Sequence, residues 1–274
     1  DRRFWDMRKP EVQEYLAHKV IDFLRSNALD YVKVDYNETI GLGCDGAESL
    51  GEGLYEQITA SREFFARLRR ELPDVVLEIC ASGGHRLCHS FLELACMASF
   101  SDAHECDEIP IIAANMHRMI LPRQSQIWAV VKAGQSLQKL YYQICSGLLG
   151  RLCFSGEPDA LSAAQWTVMD EGTAFYGKAA SIIDHGVSQR FGSRIVSYRA
   201  PRGWQAVVRR GETQTLVVVH TFGAAPEAVT LPVGGKIAAQ LMREDLTATH
   251  LDGQLTVHGL TDFDAAAFIL ENEG

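Results

Sequence analysis

The feature that most constrains the fold is an alternation of two hydrophobic periodicities over roughly the first 185 residues. Apolar residues recur at helical spacing over about 10–26, and the short apolar run "LDYVKVD" then reads as a strand. This succession of helix and strand repeats until a long helix predicted at about 159–185. Strands separated by helices imply crossover connections and a parallel sheet. A (β/α)8 barrel and a doubly wound sheet both satisfy this pattern.

Five strands are predicted in this α/β part, with helices before, between and after them. The strands are "LDYVKVD", "VVLEIC", "MASFSD", "SQIWAVV" and "RLCFSG". The helices are predicted at about 10–26, 53–71, 88–96, 109–118, 134–148 and 159–185.

Polar residues stand where three successive predicted strands end. They are Asp35, then Cys80 with the loop "ASGGHR", then Ser101, Asp102, His104 and Glu105. Active-site residues of a (β/α)8 barrel lie at the C-terminal ends of its strands. Neither a GxGxxG nor a GxxxxGK[ST] motif follows any predicted strand, which weakens the case for a nucleotide-binding sheet. The pattern therefore favours a (β/α)8 TIM barrel.

The pattern changes at about residue 190. Short segments with β-branched alternation and Gly or Pro breaks follow: "SRIVSYR", "WQAVVRR", "QTLVVVH", "EAVTLPV", "AAQLMRE", "QLTVHGL" and "AAAFILE". Such segments are typical of antiparallel sheets. We predict a partial barrel over residues 1–190 and a small antiparallel β-sandwich domain over 191–274.

Composition excludes several classes of protein. The net charge of −9 argues against a nucleic-acid partner. No apolar run is long enough for a membrane span, and "DRRFWDMRKPEV" has no signal-peptide core. The seven cysteines are scattered without CxxC spacing, as in a cytoplasmic protein with reduced thiols. We therefore expect a cytoplasmic location and no membrane partner.

Three short motifs carry a resemblance to a known family. "DYVKVDYN" resembles the K-x-D-x-N nucleophile motif of glycoside hydrolase family 36, the α-galactosidase family. "CASGGHR" resembles that family's C-x-x-G-G-x-R loop, and "FSD" resembles its S-D acid/base motif. Their order and spacing also match. The resemblance implies a retaining glycosidase for terminal α-galactosides, with Asp35 as nucleophile and Asp102 as acid/base. It further implies these sugar-binding residues: Lys33, Asn37, Cys80, Gly83, Gly84 and Arg86.

The sequence departs from the family pattern in three respects. Val34 stands where the commonest motif has Trp, and Val there also resembles the galactosyl-transferring raffinose synthases. Glu105 stands where an Asp often follows the acid/base residue. About five barrel strands are visible instead of eight, and no N-terminal β-sandwich is visible. The alternatives are therefore a galactosyl-transferring or α-N-acetylgalactosamine- or galactosamine-specific relative, and a fragment or subunit that needs another chain. We also expect a homo-oligomer.

The residue chemistry agrees with this resemblance. Retaining hydrolysis needs two carboxyl groups about 5–5.5 Å apart, and Asp35 and Asp102 end strands two positions apart in barrel order. Lys33, two residues before Asp35, points to the same face of the strand and is expected to keep Asp35 ionised. Asp102 must instead stay protonated near neutrality, which we attribute to substrate binding and to the nearby Asp35 carboxylate.

Other interpretations of these residues compete. Lys33 and Asp35 can form a rim ion pair, Cys80 can fill the core, and Arg86 can brace the scaffold. Trp128 suits a sugar-stacking role and a barrel-filling role equally. A metal site would draw on Asp35, His85, His89, His104 and Glu105, but no HxH motif is present. We therefore predict no metal and no cofactor.

Overall fold

The computed structural model describes residues 4–37, 39–102 and 107–272. The chain forms two compact units, Asp1–Phe100 and Ser101–Gly274.

Over its described residues, the first unit contains three parallel strands, with helices before and between them. Its elements are α1 (Pro10–Leu16), a π-helical turn (Ala17–Ile21), α2 (Asp22–Ser26), β1 (Tyr31–Asp35), α3 (Leu50–Glu71), β2 (Val76–Cys80), α4 (His89–Leu92) and β3 (Met97–Ser99). β2 lies between β1 and β3 and is parallel to both. The Ser49 hydroxyl accepts a hydrogen bond from the Glu52 amide and so caps the start of α3.

The apolar core of the first unit is built from both helices and strands. Its buried side chains include Ile21, Leu24, Phe64, Phe65, Leu68, Leu77, Ile79, Phe91 and Leu92. Along β2, Leu77 and Ile79 alternate with Glu78 and Cys80, so the two sets point to opposite faces of the sheet. The polar set therefore lies on one face of β1 and β2, and the apolar set lies on the other.

The second unit begins with two more parallel strands. Its α/β elements are α5 (Ile109–Met116), β4 (Ser125–Val131), α6 (Leu137–Gly147), β5 (Arg151–Gly156) and α7 (Ala163–His185), with short 3-10 turns at Pro122–Gln124 and Pro158–Ala160. β4 and β5 pair in parallel from Gln126 and Arg151 onward. No helix among the described residues is both long and apolar enough to cross a membrane. The cytoplasmic location stays a prediction.

In the described part of the second unit, eight antiparallel strands follow. They are β6 (Val187–Gly192), β7 (Trp204–Arg210), β8 (Gln214–Thr221), β9 (Ala228–Leu231), β10 (Lys236–Leu241), β11 (Thr247–Leu251), β12 (Gln254–His258) and β13 (Ala265–Glu271). One sheet has the order β10-β13-β8-β7-β6, and the other has the order β11-β12-β9. Phe268 of the first sheet and Leu255 of the second belong to one buried cluster, which is the arrangement of a β-sandwich.

Buried polar contacts fix these sheets to the α/β part of the same unit. Arg209 of β7 is 1% exposed and donates to the Leu149 carbonyl at 2.7 Å. Its guanidinium also lies 3.2 Å from the His117 ring, and burial together with Arg209 lowers the pKa of His117 to about 4. Gln205 donates to the Pro110 carbonyl at 2.7 Å, so β7 contacts the start of α5 as well. This network explains why the sandwich belongs to the same compact unit as β4 and β5.

The five predicted strands of the α/β part are all present, and the predicted helices are present with small shifts at their ends. Within the β part, "SRIVSYR" forms no strand, although we predicted one. Val196 is 89% exposed and Tyr198 is 54% exposed, so no core face stabilises an extended segment there. Two strands that are present, β6 and β11, were not predicted, and β6 lies just before the "SRIVSYR" segment. Antiparallel pairing begins at Val187, and the proposed domain boundary at 190/191 stays a prediction.

Candidate active site

The candidate site in the first unit is built on the paired ends of β1 and β2. Lys33 is in register with Glu78, and Asp35 is in register with Cys80. Residues in register on neighbouring parallel strands point to the same face, so these four side chains form two layers on one face. Glu78 and Cys80 are buried, the Lys33 side chain is 29% exposed, and Asp35 is exposed at the strand end. The Asp35 carboxylate therefore lies at the end of β1, one layer above the half-buried Lys33 ammonium group.

Lys33 forms an ion pair with Glu78, a residue that was not among the predicted site residues. The Lys33 ammonium lies 3.4 Å from Glu78 Oε1. Burial opposes the charge on Lys33, but Glu78, Cys80 and Asp35 together outweigh burial and raise the pKa of Lys33. Lys33 therefore stays protonated at neutral pH. A glutamate inside the apolar run "VVLEIC" was the signal that could have revealed this partner.

Asn37 connects the end of β1 to the loop after β2. Its side-chain Oδ1 accepts a hydrogen bond from the Ser82 amide at 2.6 Å. Ser82 and Gly83 both have positive φ, at 43° and 75°, so this loop turns sharply at that point. Asn37 thus positions the loop by the hydrogen bond seen here, and its predicted contact with a sugar stays a prediction.

Arg86 braces the same loop from its other end. Its guanidinium donates to the Tyr36 carbonyl and stacks over the Tyr36 ring, with Cζ 3.6 Å from the ring centroid. Such a cation–π contact stabilises a fixed orientation of the guanidinium. The bracing role that competed with sugar binding is therefore visible. The sugar-binding role of Arg86 stays a prediction.

Gly84 allows two backbone segments to approach each other. A Cβ atom at this position would lie 2.7 Å from the Phe100 carbonyl oxygen, too close for any larger residue without a shift. The absent side chain therefore makes room for the chain after β3. The predicted approach of a sugar to the backbone at Gly83 and Gly84 stays a prediction.

Asp102 belongs to the second unit and follows the last residue of β3 by three positions. It is exposed. His104 and Glu105, which the metal interpretation used, lie outside the described residues. Among the residues that the structure describes, no three His, Cys, Asp or Glu side chains are grouped closely enough to hold a metal ion. The absence of a metal in catalysis stays a prediction.

Trp128 lies on β4 in the second unit. Its indole Nε1 donates to Gln126 Oε1 at 3.0 Å, and it is in register with Cys153 of β5. Its ring is only partly buried. This environment is compatible with both roles that the sequence left open, filling of the interior and stacking on a sugar.

Comparison with known proteins identifies the family of the α/β part. The family model described as Melibiase matches residues 1–185, which is more than half of the chain. The chain belongs to the Melibiase family. Two curated relatives, the probable α-galactosidases C of Aspergillus flavus and Aspergillus oryzae, are each 34% identical to it over 84 residues. That stretch is 31% of this chain and 10% of each relative.

Solved structures share the fold of this chain over nearly its whole length. The α-galactosidase from Lactobacillus brevis matches 98% of the chain with a TM-score of 0.79 and 18% identity. The galactosidase domain of an α-galactosidase-sucrose kinase matches 97% with a TM-score of 0.75 and 18% identity. These matches confirm an α/β barrel-type sheet followed by an antiparallel β domain.

The chain spans well under half the length of the solved structures it matches. It spans 39% of the Lactobacillus brevis chain and 38% of the galactosidase domain of the kinase fusion protein.

Proposed function

We propose that this protein is a retaining glycosidase that hydrolyses terminal α-galactosides. The observation that carries the proposal is Asp35, an exposed carboxylate at the end of a strand, in a chain of the Melibiase family. Lys33 lies on the same face two residues earlier. Solved Geobacillus stearothermophilus relatives are complexes with raffinose and stachyose, which supports the same substrate class here.

The proposed reaction is a double displacement. The Asp35 carboxylate attacks the anomeric carbon, while Asp102 donates a proton to the departing glycosidic oxygen. A covalent galactosyl ester on Asp35 results. Asp102, now a carboxylate, takes a proton from water as that water attacks the anomeric carbon of the galactosyl ester, and the bond between that carbon and the Asp35 oxygen breaks to release the Asp35 carboxylate. Two inversions give a product with the configuration of the substrate.

The neighbouring residues are assigned to sugar binding. The Lys33 ammonium donates hydrogen bonds to sugar hydroxyls. Cys80 is assigned to the wall of the pocket because it is in register with Asp35. Gly83, Gly84 and Arg86 are assigned to the loop that faces the sugar, and Asn37, which accepts a hydrogen bond from that loop, is assigned to the same side of the site.

An assay of the complete gene product on 4-nitrophenyl α-galactoside tests this function. We expect nitrophenol release, with α-galactose as the first anomer seen by proton NMR before mutarotation. The matched control is 4-nitrophenyl β-galactoside, for which we expect no turnover. Initial release of β-galactose would exclude the double displacement, and absence of turnover would exclude the activity.

Chelation tests the predicted absence of a metal. Dialysis of the enzyme against EDTA should leave kcat/KM for 4-nitrophenyl α-galactoside unchanged, because both proposed catalytic groups are carboxyl groups. The control is the same enzyme dialysed without chelator. Loss of activity that zinc restores would instead support the metal hydrolase interpretation.

Two alternatives to this function are galactosyl transfer to another sugar and assembly with another chain. Val34 motivates galactosyl transfer, although on β1 it points to the face opposite Lys33 and Asp35. Transfer predicts that added sucrose diverts the galactosyl group into a trisaccharide.

Assembly with another chain is supported by β1, which among the described residues pairs only with β2 and so leaves an open edge. The mass of the active species by light scattering tests this alternative and the predicted homo-oligomer.

A further inference from the structure

A buried carboxylate lies one layer below the proposed nucleophile. Glu78 is 0% exposed, although it is in the middle of a short strand otherwise made of apolar residues and Cys80. The Tyr31 hydroxyl donates to its Oε2, and the Lys33 ammonium lies 3.4 Å from its Oε1. Both oxygens of Glu78 therefore contact side chains of β1.

Stability alone is a weak explanation for this pair. Burial of a carboxylate costs several kcal/mol, and an apolar pair of similar volume is often as stable as a buried ion pair. The position of the pair gives a better explanation. In register, Lys33 and Glu78 lie directly below Asp35 and Cys80, so any movement of the ammonium changes the charge beneath the nucleophile.

We infer that Glu78 is a positioning residue, which acts through Lys33 by holding the ammonium group in one place beneath Asp35. Tyr31 in turn fixes the Glu78 carboxylate. Among the described residues, the groups whose charge acts on the ammonium include Asp35 on its own strand and Glu78 and Cys80 on β2. This inference rests on the proposed function of Lys33 in binding sugar, and it adds a residue that the family motifs quoted above do not contain.

The first test is the variant Glu78→Gln in the complete gene product. We expect kcat/KM for 4-nitrophenyl α-galactoside to fall by about 100-fold, the scale on which a displaced binding group acts. The same substitution made in a Lys33→Met background should cause no further loss. The matched control is Glu93→Gln, which removes an exposed carboxylate paired with Arg62 and should leave kcat/KM unchanged. Losses from Glu78→Gln and Lys33→Met that multiply would overturn the inference.

A second readout does not depend on activity. Trace acetylation at pH 9, followed by mass spectrometry, measures the free-amine fraction of each lysine. Because the Glu78 carboxylate raises the pKa of Lys33, Glu78→Gln should make Lys33 react several-fold faster, whereas Glu78→Asp, which keeps the charge, should not. Exposed Lys19 serves as the internal standard. An unchanged rate at Lys33 would overturn the inference.

The two readouts separate failure of the inference from failure of the proposed function. If the wild-type protein has no α-galactosidase activity, the proposed function is wrong, and the acetylation rates then decide only whether Glu78 acts on the Lys33 ammonium. If Glu78→Gln does not fold, Tyr31→Phe removes the hydroxyl that fixes Glu78. The loss in kcat/KM caused by Tyr31→Phe should be smaller than the loss expected for Glu78→Gln. It should be absent when Tyr31→Phe is made in the Lys33→Met background.

Discussion

Replacement of Asp35 by Ala is expected to lower kcat for 4-nitrophenyl α-galactoside by about 10⁵-fold, the scale on which loss of a catalytic nucleophile acts. The physical reason is that no carboxylate remains to form the glycosyl ester. Because Asp35 is exposed at the end of β1, its loss should leave the fold intact. The far-ultraviolet circular dichroism spectrum and the melting temperature of the variant should match those of the wild type.

Azide distinguishes a nucleophile from a residue that merely affects the fold. In Asp35→Ala, azide can enter the space left by the carboxylate and attack the anomeric carbon once. We expect partial recovery of turnover and β-galactosyl azide as product, identified by NMR. The matched control is Asp30→Asn, at an exposed carboxylate just before β1, which should keep near-wild-type activity. Near-normal turnover by Asp35→Ala would remove Asp35 from the role of nucleophile.

Replacement of Asp102 by Ala is expected to produce a second large loss, with a different dependence on the leaving group. General acid catalysis contributes about 10²–10⁴-fold. We therefore expect a loss near the upper end for raffinose, whose leaving group needs a proton. The loss in the first step should be much smaller for 4-nitrophenyl α-galactoside, because nitrophenolate leaves without protonation. The ratio of kcat/KM for the two substrates measures this difference.

The configuration of the azide product separates the two aspartates. In Asp102→Ala the ester on Asp35 still forms, and azide attacks it without needing a general base, so α-galactosyl azide should result. The matched control is Asp170→Asn, at an exposed carboxylate of α7. If Asp102→Ala lost activity equally on both substrates, or formed β-galactosyl azide, the assignment of Asp102 as acid/base would be contradicted.

The sequence by itself determined the order of the α/β elements and the residues at the strand ends. The alternation of apolar spacing is a local property, and it located β1 to β5 because each strand is a short apolar run bounded by helical patterns. Local spacing also showed that Lys33 and Asp35 share a face, since strand periodicity is 2. The motifs around Asp35, Cys80 and Asp102 predicted the family that the comparison confirmed.

Only the tertiary structure decided which side chains meet across strands and loops. The register of β1 on β2 brings Glu78 to Lys33, and the turn after β2 brings the Ser82 amide to Asn37. Neither contact can be read from spacing, because each joins residues about 45 positions apart through the pairing of two strands. The same holds for Arg209, whose contact with Leu149 fixes the sandwich to the α/β elements of the second unit. Local periodicity specifies an element and its faces, whereas register and packing specify the neighbours of each face.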